Sequence, residues 1–325
     1  MSQPDFLSVL APRLGDFLAL RRAGGLDSKS QLVLLRYLDR FLQQQDFTTP
    51  WLTREVVEAY LQSATHLNLR TQDNRWCVLR QFCRYLRQFE PECFVAEHKP
   101  WRVPARTRTA HIYSESEIQA MLRAAQALPP SGSLRAKTYY TLFGLLYTTG
   151  LRCGEAFALN VNNVDLEQQL LFVHRGKFGK SRWVPISAST TLALQRYLHE
   201  RSRVAPVRAQ SPFFITTTAR RLYHTNVDYA FRDVLKRCGL RGGKGCPGPR
   251  LHHLRHSFAC NRLLAWHRAG RDVSALLPAL ATYLGHVDIG ATQVYLQPTA
   301  ELLEEANQRF HRSFLQNIST TGEPA

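Results

Sequence analysis

Apolar residues recur at helical spacing along most of this chain, and one short segment departs from that spacing. Intervals of three and four residues extend through residues 6–94 and return after residue 113. The departure is a pair of short runs with β-branched and aromatic residues, at 170–174 and 182–186, on either side of a basic turn that contains glycine. The sequence therefore predicts a mainly α fold with one small antiparallel sheet.

Capping residues place several helix boundaries. Thr53 is an acceptable helix start, and Ser114 offers a cap for another helix. A strongly apolar helix over residues 134–149 is predicted to end at Gly150. A shorter helix at 154–159 should follow before the hairpin.

A proline-containing, basic segment interrupts the helical pattern at residues 96–112. It has few aliphatic side chains, which is typical of a linker, and its cations could follow a phosphate backbone. Its cationic residues are Lys99, Arg102, Arg106 and Arg108. We therefore predict a helical DNA-binding domain at 1–95, this linker, and a second domain at 113–325.

The charge of the chain predicts a polyanionic partner, with nucleic acid first. Lys and Arg number 42 among 325 residues and Asp and Glu 25, a formal net charge of +17. Residues 1–100 contain 13 basic and 11 acidic side chains, so most of the excess lies beyond them. In the first domain Arg80, Arg84 and Arg87 share one helix face. This basic stripe is either a solvated helix edge or a DNA-facing surface.

Cysteine usage and hydropathy predict the compartment. The seven cysteines include no Cys-x-x-Cys pair, which is typical of reduced thiols in a cytosolic protein. The N-terminus lacks a basic n-region, and no segment approaches the roughly 18 unbroken apolar residues of a membrane span. We expect a cytoplasmic, nucleoid-associated protein that does not contact membranes.

Three short clusters contain residue types suited to phosphate chemistry. They are residues 149–155, residues 251–256, and residues 284–286 with Tyr295 nine positions further on. Each has an ordinary explanation when taken alone, because an arginine can begin a helix, a helical histidine is more often structural, and this tyrosine could belong to the core. Together with a hairpin lysine they supply two arginines, two or three histidines and a tyrosine.

This combination meets the needs of phosphoryl transfer to a tyrosine hydroxyl. Arginine presents a planar, permanently charged fork to phosphate oxygens, so Arg152 and Arg255 fit a clamp on the transition state. A phenol with a pKa of about 10 needs a base, and the departing 5′-oxygen needs a proton donor. A histidine suits the first role and a lysine of the hairpin turn the second.

These motifs resemble those of the tyrosine recombinases, the family of phage integrases and Xer-like site-specific DNA recombinases. The patterns G-L-R-x-x-E, G-K-x-x-K-x-R, H-x-L-R-H and L-G-H followed by tyrosine occur in the family's order, and the likeness covers residues 30–310. The resemblance implies a helical core-binding domain, a catalytic α+β domain and six catalytic residues. They are Arg152, Lys177, His252, Arg255, His286 and Tyr295.

Some positions leave alternatives open. Lys180 is a rival to Lys177 as the hairpin lysine, and it is also predicted to contact DNA together with Arg182. Glu155 matches a glutamate of the motif that is expected to orient the first arginine. The segment 255–286 is several residues longer than in Xer-type members and is similar to integrases of transposon-like elements.

The resemblance also implies a reaction and its partners. The tyrosine attacks the scissile phosphate, forms a 3′-phosphotyrosyl link and frees a 5′-hydroxyl, and the 5′-hydroxyl of a partner strand reverses this step. Because the link conserves the phosphodiester energy, no metal or other cofactor is expected. Two double-stranded DNA sites imply a homotetramer of C-shaped clamps, in which residues 302–314 pack on a neighbour or on their own domain.

The expected function is site-specific recombination for integration or excision of a mobile element. Two other functions are compatible with the same motifs. A type IB topoisomerase-like enzyme would act on a single duplex, and strand exchange between two DNA molecules separates it from a recombinase. A regulator on the same scaffold would bind DNA without cleaving it, and the complete catalytic set argues against this.

Overall fold

The computed structural model describes residues 6–25, 28–99, 101, 110–174, 180–242, 248–286 and 290–293. The chain forms two compact units, Met1–Arg108 and Thr109–Ala325, each with its own hydrophobic core. The boundary between the units falls within the segment that the composition indicates as a linker. The functional assignment of the two predicted domains stays a prediction.

The first unit consists of helices packed around one apolar core. The helices are α1 Ala11–Ala23, α2 Lys29–Gln44, α3 Arg54–Gln62 and α4 Leu69–Leu86. Thr53 caps α3 as predicted, because its hydroxyl accepts a hydrogen bond from the Val56 amide. Phe17 of α1 packs edge-to-face on Phe82 of α4, with ring centroids 5.6 Å apart. This contact joins the first and last helices of the unit.

The helical pattern predicted as far as residue 94 is wrong at its C-terminal end. Helix α4 ends at Leu86, and residues 93–97 are not helical. Pro91 accounts for part of the difference, because proline has no N–H to donate and disfavours helical geometry in the residue before it. Residues 93–97 are instead held by arginine side chains of α4, as described below.

The second unit combines helices with a small sheet. The helices are α5 Glu115–Gln126, α6 Leu134–Thr149, α7 Cys153–Ala158, α8 Ala188–Ser202, α9 His224–Arg237, α10 His253–Arg268, α11 Val273–Leu284 and α12 Gly290–Gln293. The strands are β1 Val164–Asp165, β2 Leu170–Val173 and β3 Arg182–Pro185, antiparallel in the order β1-β2-β3. Leu171 lies opposite Val184, and both side chains are fully buried. One face of the sheet therefore belongs to the core.

Helix α6 lies at the centre of the second unit. Ten of its sixteen residues are buried, and it contacts α5, α8 and α10. Ser114 begins α5 with a capping box whose second member is Glu117. Gly150 ends α6 in the left-handed conformation, with φ of 61°. Both boundaries agree with the sequence prediction, and the second directs the chain toward the candidate site.

The predicted fold class is confirmed: the protein is mainly helical and carries one small antiparallel sheet. The hairpin of β2 and β3 lies where the two short β-type runs were found. Strand β1 was not predicted, because two residues are too few to show an alternating pattern. In the described parts of the chain, no helix has the length and apolar character needed to cross a membrane.

Candidate active site

The turn that follows α6 positions both predicted arginines. A Cβ atom at Gly150 would lie 2.5 Å from the Phe258 ring, so glycine is required by space as well as by its positive φ. The chain passes through Leu151, and Arg152 becomes the residue that precedes α7. The Gly150 carbonyl accepts a hydrogen bond of 2.7 Å from Nη1 of Arg255. One turn thus places Arg152 directly and Arg255 through a carbonyl.

A second left-handed glycine makes the corresponding turn at the end of α11. Gly285 has φ of 67°, and its carbonyl accepts a hydrogen bond of 3.0 Å from Nη2 of Arg152. The carbonyl of Leu284 accepts one of 2.8 Å from Nη2 of Arg255. Because successive Cα atoms are about 3.8 Å apart, the two guanidinium groups are neighbours. The structure therefore brings Arg152 and Arg255 together.

Arg255 is almost completely buried in the first turn of α10. Arg255 is only 2% exposed. Its guanidinium nevertheless keeps its charge, as it does in any protein environment. Besides the two carbonyls, Nη2 of Arg255 approaches Nε2 of His286 at 2.8 Å. A charged fork held in this way is preorganised, and phosphate oxygens are the anions that such a fork binds best.

His286 lies between Arg255 and a buried threonine. Arg255 can only donate, so Nε2 of His286 is the acceptor of their hydrogen bond. Its Nδ1 therefore carries the proton and donates to the Thr292 hydroxyl at 2.7 Å. Burial, together with the charges of Arg255, Arg152 and Arg182, lowers the pKa of His286 to about 4. The ring is neutral at neutral pH.

His252 lies immediately before α10, one turn from Arg255. Its ring packs edge-on to His256, with centroids 5.1 Å apart. Partial desolvation, with the charges of Arg255, His253 and Arg152, lowers the pKa of His252 to about 4. The residue nevertheless has an exposed surface. An uncharged and accessible imidazole can accept a proton from a phenol.

Glu155 holds Arg152 from within α7. Its Oε1 accepts a hydrogen bond from Nη1 of Arg152, and its Oε2 accepts one from the Arg152 amide, both at 2.9 Å. Arg182 donates to both oxygens. Burial raises the pKa of Glu155, but the hydrogen bonds and charges of Arg182 and Arg152 outweigh it, so the pKa is lowered. This ionised contact is the one that an orienting role requires.

Arg182 contacts other residues of the second unit. Its side chain is 12% exposed. Three of its five N–H donors are used within the protein, two by Glu155 and one by the Tyr283 carbonyl. These bonds hold its guanidinium within the protein, and contact of Arg182 with DNA stays a prediction. Lys180, two residues earlier, is exposed, and its contact with DNA stays a prediction.

The basic stripe of α4 makes contacts within the first unit. Arg80 donates to Glu97 at 2.8 Å, and Arg87 donates to the Cys93 carbonyl at 3.0 Å. Arg84, whose side chain is 55% exposed, approaches Glu97 at 3.7 Å. These bonds fix residues 93–97 on α4, which the sequence did not indicate. Contact of the stripe with DNA stays a prediction.

Five predicted site residues lie outside the residues that the structure describes. They are Arg102, Arg106, Arg108, Lys177 and Tyr295. The tail at 302–314 also lies outside them. The choice between Lys177 and Lys180, and the position of Tyr295 relative to the two arginines, therefore stay predictions.

Comparison with known protein families identifies the second unit. Residues 112–301, more than half of the chain, match the model of the phage integrase family. The chain belongs to the phage integrase family. The resemblance inferred from the motifs is confirmed, and tyrosine-type members of this family break and rejoin DNA strands.

Relatives of this integrase family member extend over nearly the whole chain. Integrase/recombinase y4rB of Sinorhizobium fredii (strain NBRC 101917 / NGR234) is 36% identical, with 94% of this chain and 98% of the relative covered. Tyrosine recombinase XerD of Caulobacter vibrioides is 30% identical, with 79% and 81% covered. The Tn1549 transposon integrase, solved with a circular intermediate DNA, has the same fold: the TM-score is 0.66 at 17% identity, with 94% of this chain and 99% of that chain covered.

The site of this integrase family member includes groups that the sequence did not single out. The carbonyls of Leu284 and Gly285 hold the arginines, and backbone groups have no residue-type signal. A glycine that ends a helix is, however, a sign of a left-handed turn, so the conformation of Gly285 was open to prediction. Thr292, which fixes the tautomer of His286, belongs to none of the motifs.

Proposed function

We propose that this protein is a site-specific recombinase that uses Tyr295 to break and rejoin DNA, for the integration or excision of a mobile element. Arg152 and Arg255 bind the non-bridging oxygens of the scissile phosphate. His252 accepts the phenol proton, and Lys177 donates a proton to the departing 5′-oxygen. Family membership and the order of the motifs support these roles.

The observation that carries the proposal is the placement of the two arginines on adjacent carbonyls. Hydrogen bonds of 2.8 Å to Leu284 and 3.0 Å to Gly285 hold permanently charged forks side by side. Groups fixed in this way do not reorganise when negative charge builds up on a phosphate, which makes them effective in stabilising a transition state. The neutral ring of His286 accepts from Arg255 and donates to Thr292, so it helps to hold Arg255 without adding charge.

The proposed reaction conserves bonds and protons in each step. The phenol oxygen of Tyr295 forms a bond to phosphorus while the bond from phosphorus to the 5′-oxygen breaks. The phenol proton passes to His252, and a proton of Lys177 passes to the 5′-oxygen. Attack by the 5′-hydroxyl of a second duplex reverses these transfers and completes the exchange.

We further propose that four copies act together on two double-stranded DNA sites in the cytoplasm. Solved structures of the Tn1549 integrase and of XerH are complexes with DNA, which supports DNA as the partner of the present protein. A groove of about 540 Å³ between α5, α6 and α10 is lined by apolar residues such as Ile118 and Leu264 and by polar ones such as Gln119 and Asn261. Residues 302–314 of a neighbouring copy are the proposed occupant, since they combine leucine and phenylalanine with acidic and basic residues.

The proposal is tested by strand exchange between two labelled duplexes. Fragments of the genomic DNA that flanks the coding region are first incubated with the protein. The fragment that forms an adduct resistant to denaturation is the target duplex. We expect two target duplexes of different length to yield hybrid products. Adduct formation and supercoil relaxation without any hybrid product would favour the topoisomerase-like function, and DNA binding without an adduct would favour the regulator.

Lys177→Ala is expected to slow cleavage by about 10²–10⁴-fold, because the 5′-oxygen then leaves without a proton donor. A target duplex with sulfur in place of the bridging 5′-oxygen should bring the variant close to the parental rate, since a thiolate leaves without protonation. Single-turnover cleavage of both substrates measures this. Lys180→Ala is the matched control on the same hairpin, and sulfur rescue of that variant alone would reassign the proton donor to Lys180.

A further inference from the structure

Arg182 connects strand β3 to two other elements of the candidate site. Its Nε donates to the Tyr283 carbonyl in the last turn of α11 at 2.8 Å. Its Nη1 and Nη2 donate to Oε1 and Oε2 of Glu155 in α7 at 3.0 and 2.9 Å. One guanidinium plane thus joins the hairpin, α7 and α11, and the motif chemistry assigns it no task.

The turn at Gly285 is shaped around this guanidinium. A Cβ atom at Gly285 would lie 2.7 Å from Nη1 and 2.9 Å from Cζ of Arg182. The same turn offers its carbonyl to Arg152. Arg152 and Arg182 therefore meet at two places, the backbone of Gly285 and the carboxylate of Glu155.

We propose that Arg182 is a positioning residue for DNA cleavage. It fixes the carboxylate of Glu155, and through this carboxylate the guanidinium of Arg152. It also fixes the hairpin that carries Lys177 relative to the end of α11. The inference rests on the proposed roles of Arg152 and Lys177 and adds a residue that acts through them.

The geometry of arginine is essential to this role. Without Arg182, Oε2 of Glu155 keeps the hydrogen bond from the Arg152 amide, and Oε1 keeps the one from the side chain of Arg152. The carboxylate then loses two of its four hydrogen bonds, one at each oxygen. Lysine at position 182 would retain a charge, but one ammonium group cannot reproduce a planar fork that also reaches the Tyr283 carbonyl. A displacement of about 1 Å at a reacting group can cost about 10²-fold in rate.

Arg182 also helps to keep Glu155 ionised. The ionisable groups around this carboxylate are Arg152 and Cys153 from its own turn, Arg182 from β3, and His286 after α11. Burial raises the pKa of Glu155, and the two arginines lower it by more than burial raises it. Loss of Arg182 therefore raises this pKa. A protonated Glu155 holds Arg152 poorly. As the pH falls, a variant without Arg182 should therefore lose cleavage activity at a higher pH than the parent does.

The test compares single-turnover cleavage of the target duplex, DNA affinity and melting temperature in Arg182→Gln and Arg182→Lys. We expect cleavage about 10²-fold slower in each variant, with unchanged DNA affinity. In Arg182→Gln the acid limb of the pH–rate profile should move up by about one pH unit. Arg182→Lys retains a charged partner for Glu155, so it tests the inference even if Arg182→Gln does not fold, and its acid limb should move less.

Arg201→Gln is the matched control for loss of a buried arginine in the same unit. Arg201 is 1% exposed and donates to the carbonyls of Pro212 and Phe213 after α8. This control should lower the melting temperature and leave the acid limb unchanged. Arg182→Gln could also cleave slowly while the acid limb of its pH–rate profile stays where it is in the parent. In that case Arg182 is merely structural and the inference is wrong.

Three further outcomes would also overturn the inference. Parental cleavage in both Arg182 variants, with slow cleavage in Arg152→Lys, would remove Arg182 from the mechanism while the proposed function stands. Parental cleavage in Arg152→Lys as well would instead contradict the proposed function. A salt dependence of DNA affinity that is flatter by about 0.9 in Arg182→Gln would mean that Arg182 contacts a phosphate directly.

Discussion

Tyr295→Phe is expected to bind the target duplex with parental affinity and to form no covalent adduct. Only the hydroxyl is removed, so the ring can make the same packing contacts while the nucleophile is absent. Loss of a nucleophile of this kind lowers a rate by about 10⁴-fold or more. The measurement is the yield of denaturation-resistant adduct on a nicked target duplex, from which the 5′-hydroxyl fragment diffuses away.

Tyr283→Phe is the matched control for this prediction. Burial raises the pKa of Tyr283 to about 12, and its hydroxyl donates to the Pro185 carbonyl at 3.3 Å, so it is poorly suited to nucleophilic attack. The control should form the adduct at a yield close to that of the parent. An adduct from Tyr295→Phe, together with its loss in Tyr283→Phe, would exchange the roles of the two tyrosines.

Arg255→Lys is expected to slow cleavage by about 10²–10³-fold, which corresponds to about 2.7–4 kcal/mol, with little change in DNA affinity. The guanidinium of Arg255 reaches the Gly150 and Leu284 carbonyls and His286 at once. A lysine ammonium retains the charge but has three donors in place of five, so it cannot satisfy these three acceptors and also donate to a phosphate. Single-turnover cleavage, measured beside DNA affinity, separates this loss from weaker binding.

Arg262→Lys tests whether the position within α10 matters. Arg262 is exposed two turns further along this helix, where its guanidinium lies over the Phe258 ring at 5.8 Å. The substitution conserves the charge of the helix, and we expect parental cleavage. Arg255→Lys that cleaves as fast as Arg262→Lys would exclude Arg255 from the phosphate clamp.

The sequence was sufficient for the fold class, and it singled out two distant arginines that the structure brings together. Helical spacing, the cap at Ser114 and the helix end at Gly150 are local signals, and each is confirmed. Arg152 and Arg255 were chosen because a phosphate transition state needs two charged forks, and the structure places these forks side by side. Local patterns and chemical requirements thus identified what to look for.

The sequence was insufficient wherever a side chain's partner lies far away along the chain. Arg182 resembles its neighbour Lys180 in a basic hairpin, yet its acceptor at Tyr283 is 101 residues away, and this contact holds its side chain in a partly buried position. The sequence placed Arg80 on a basic stripe, but the guanidinium of Arg80 donates a hydrogen bond to Glu97. Residue type and spacing report the charge of a side chain, whereas its burial depends on tertiary contacts that no local pattern contains.

Arg152 and Arg255 each donate to a carbonyl that lies far away along the chain, and this has a consequence for synthesis of the protein. Arg152 and its acceptor Gly285 are 133 residues apart, and Arg255 and its acceptor Gly150 are 105 residues apart. A polypeptide that is still emerging from the ribosome lacks the Gly285 carbonyl until most of the second unit has been translated. Before that point Arg152 is held by Glu155 alone and lacks its second side-chain acceptor. Newly made chains therefore complete the arrangement that holds the two arginines side by side only as translation of this unit ends.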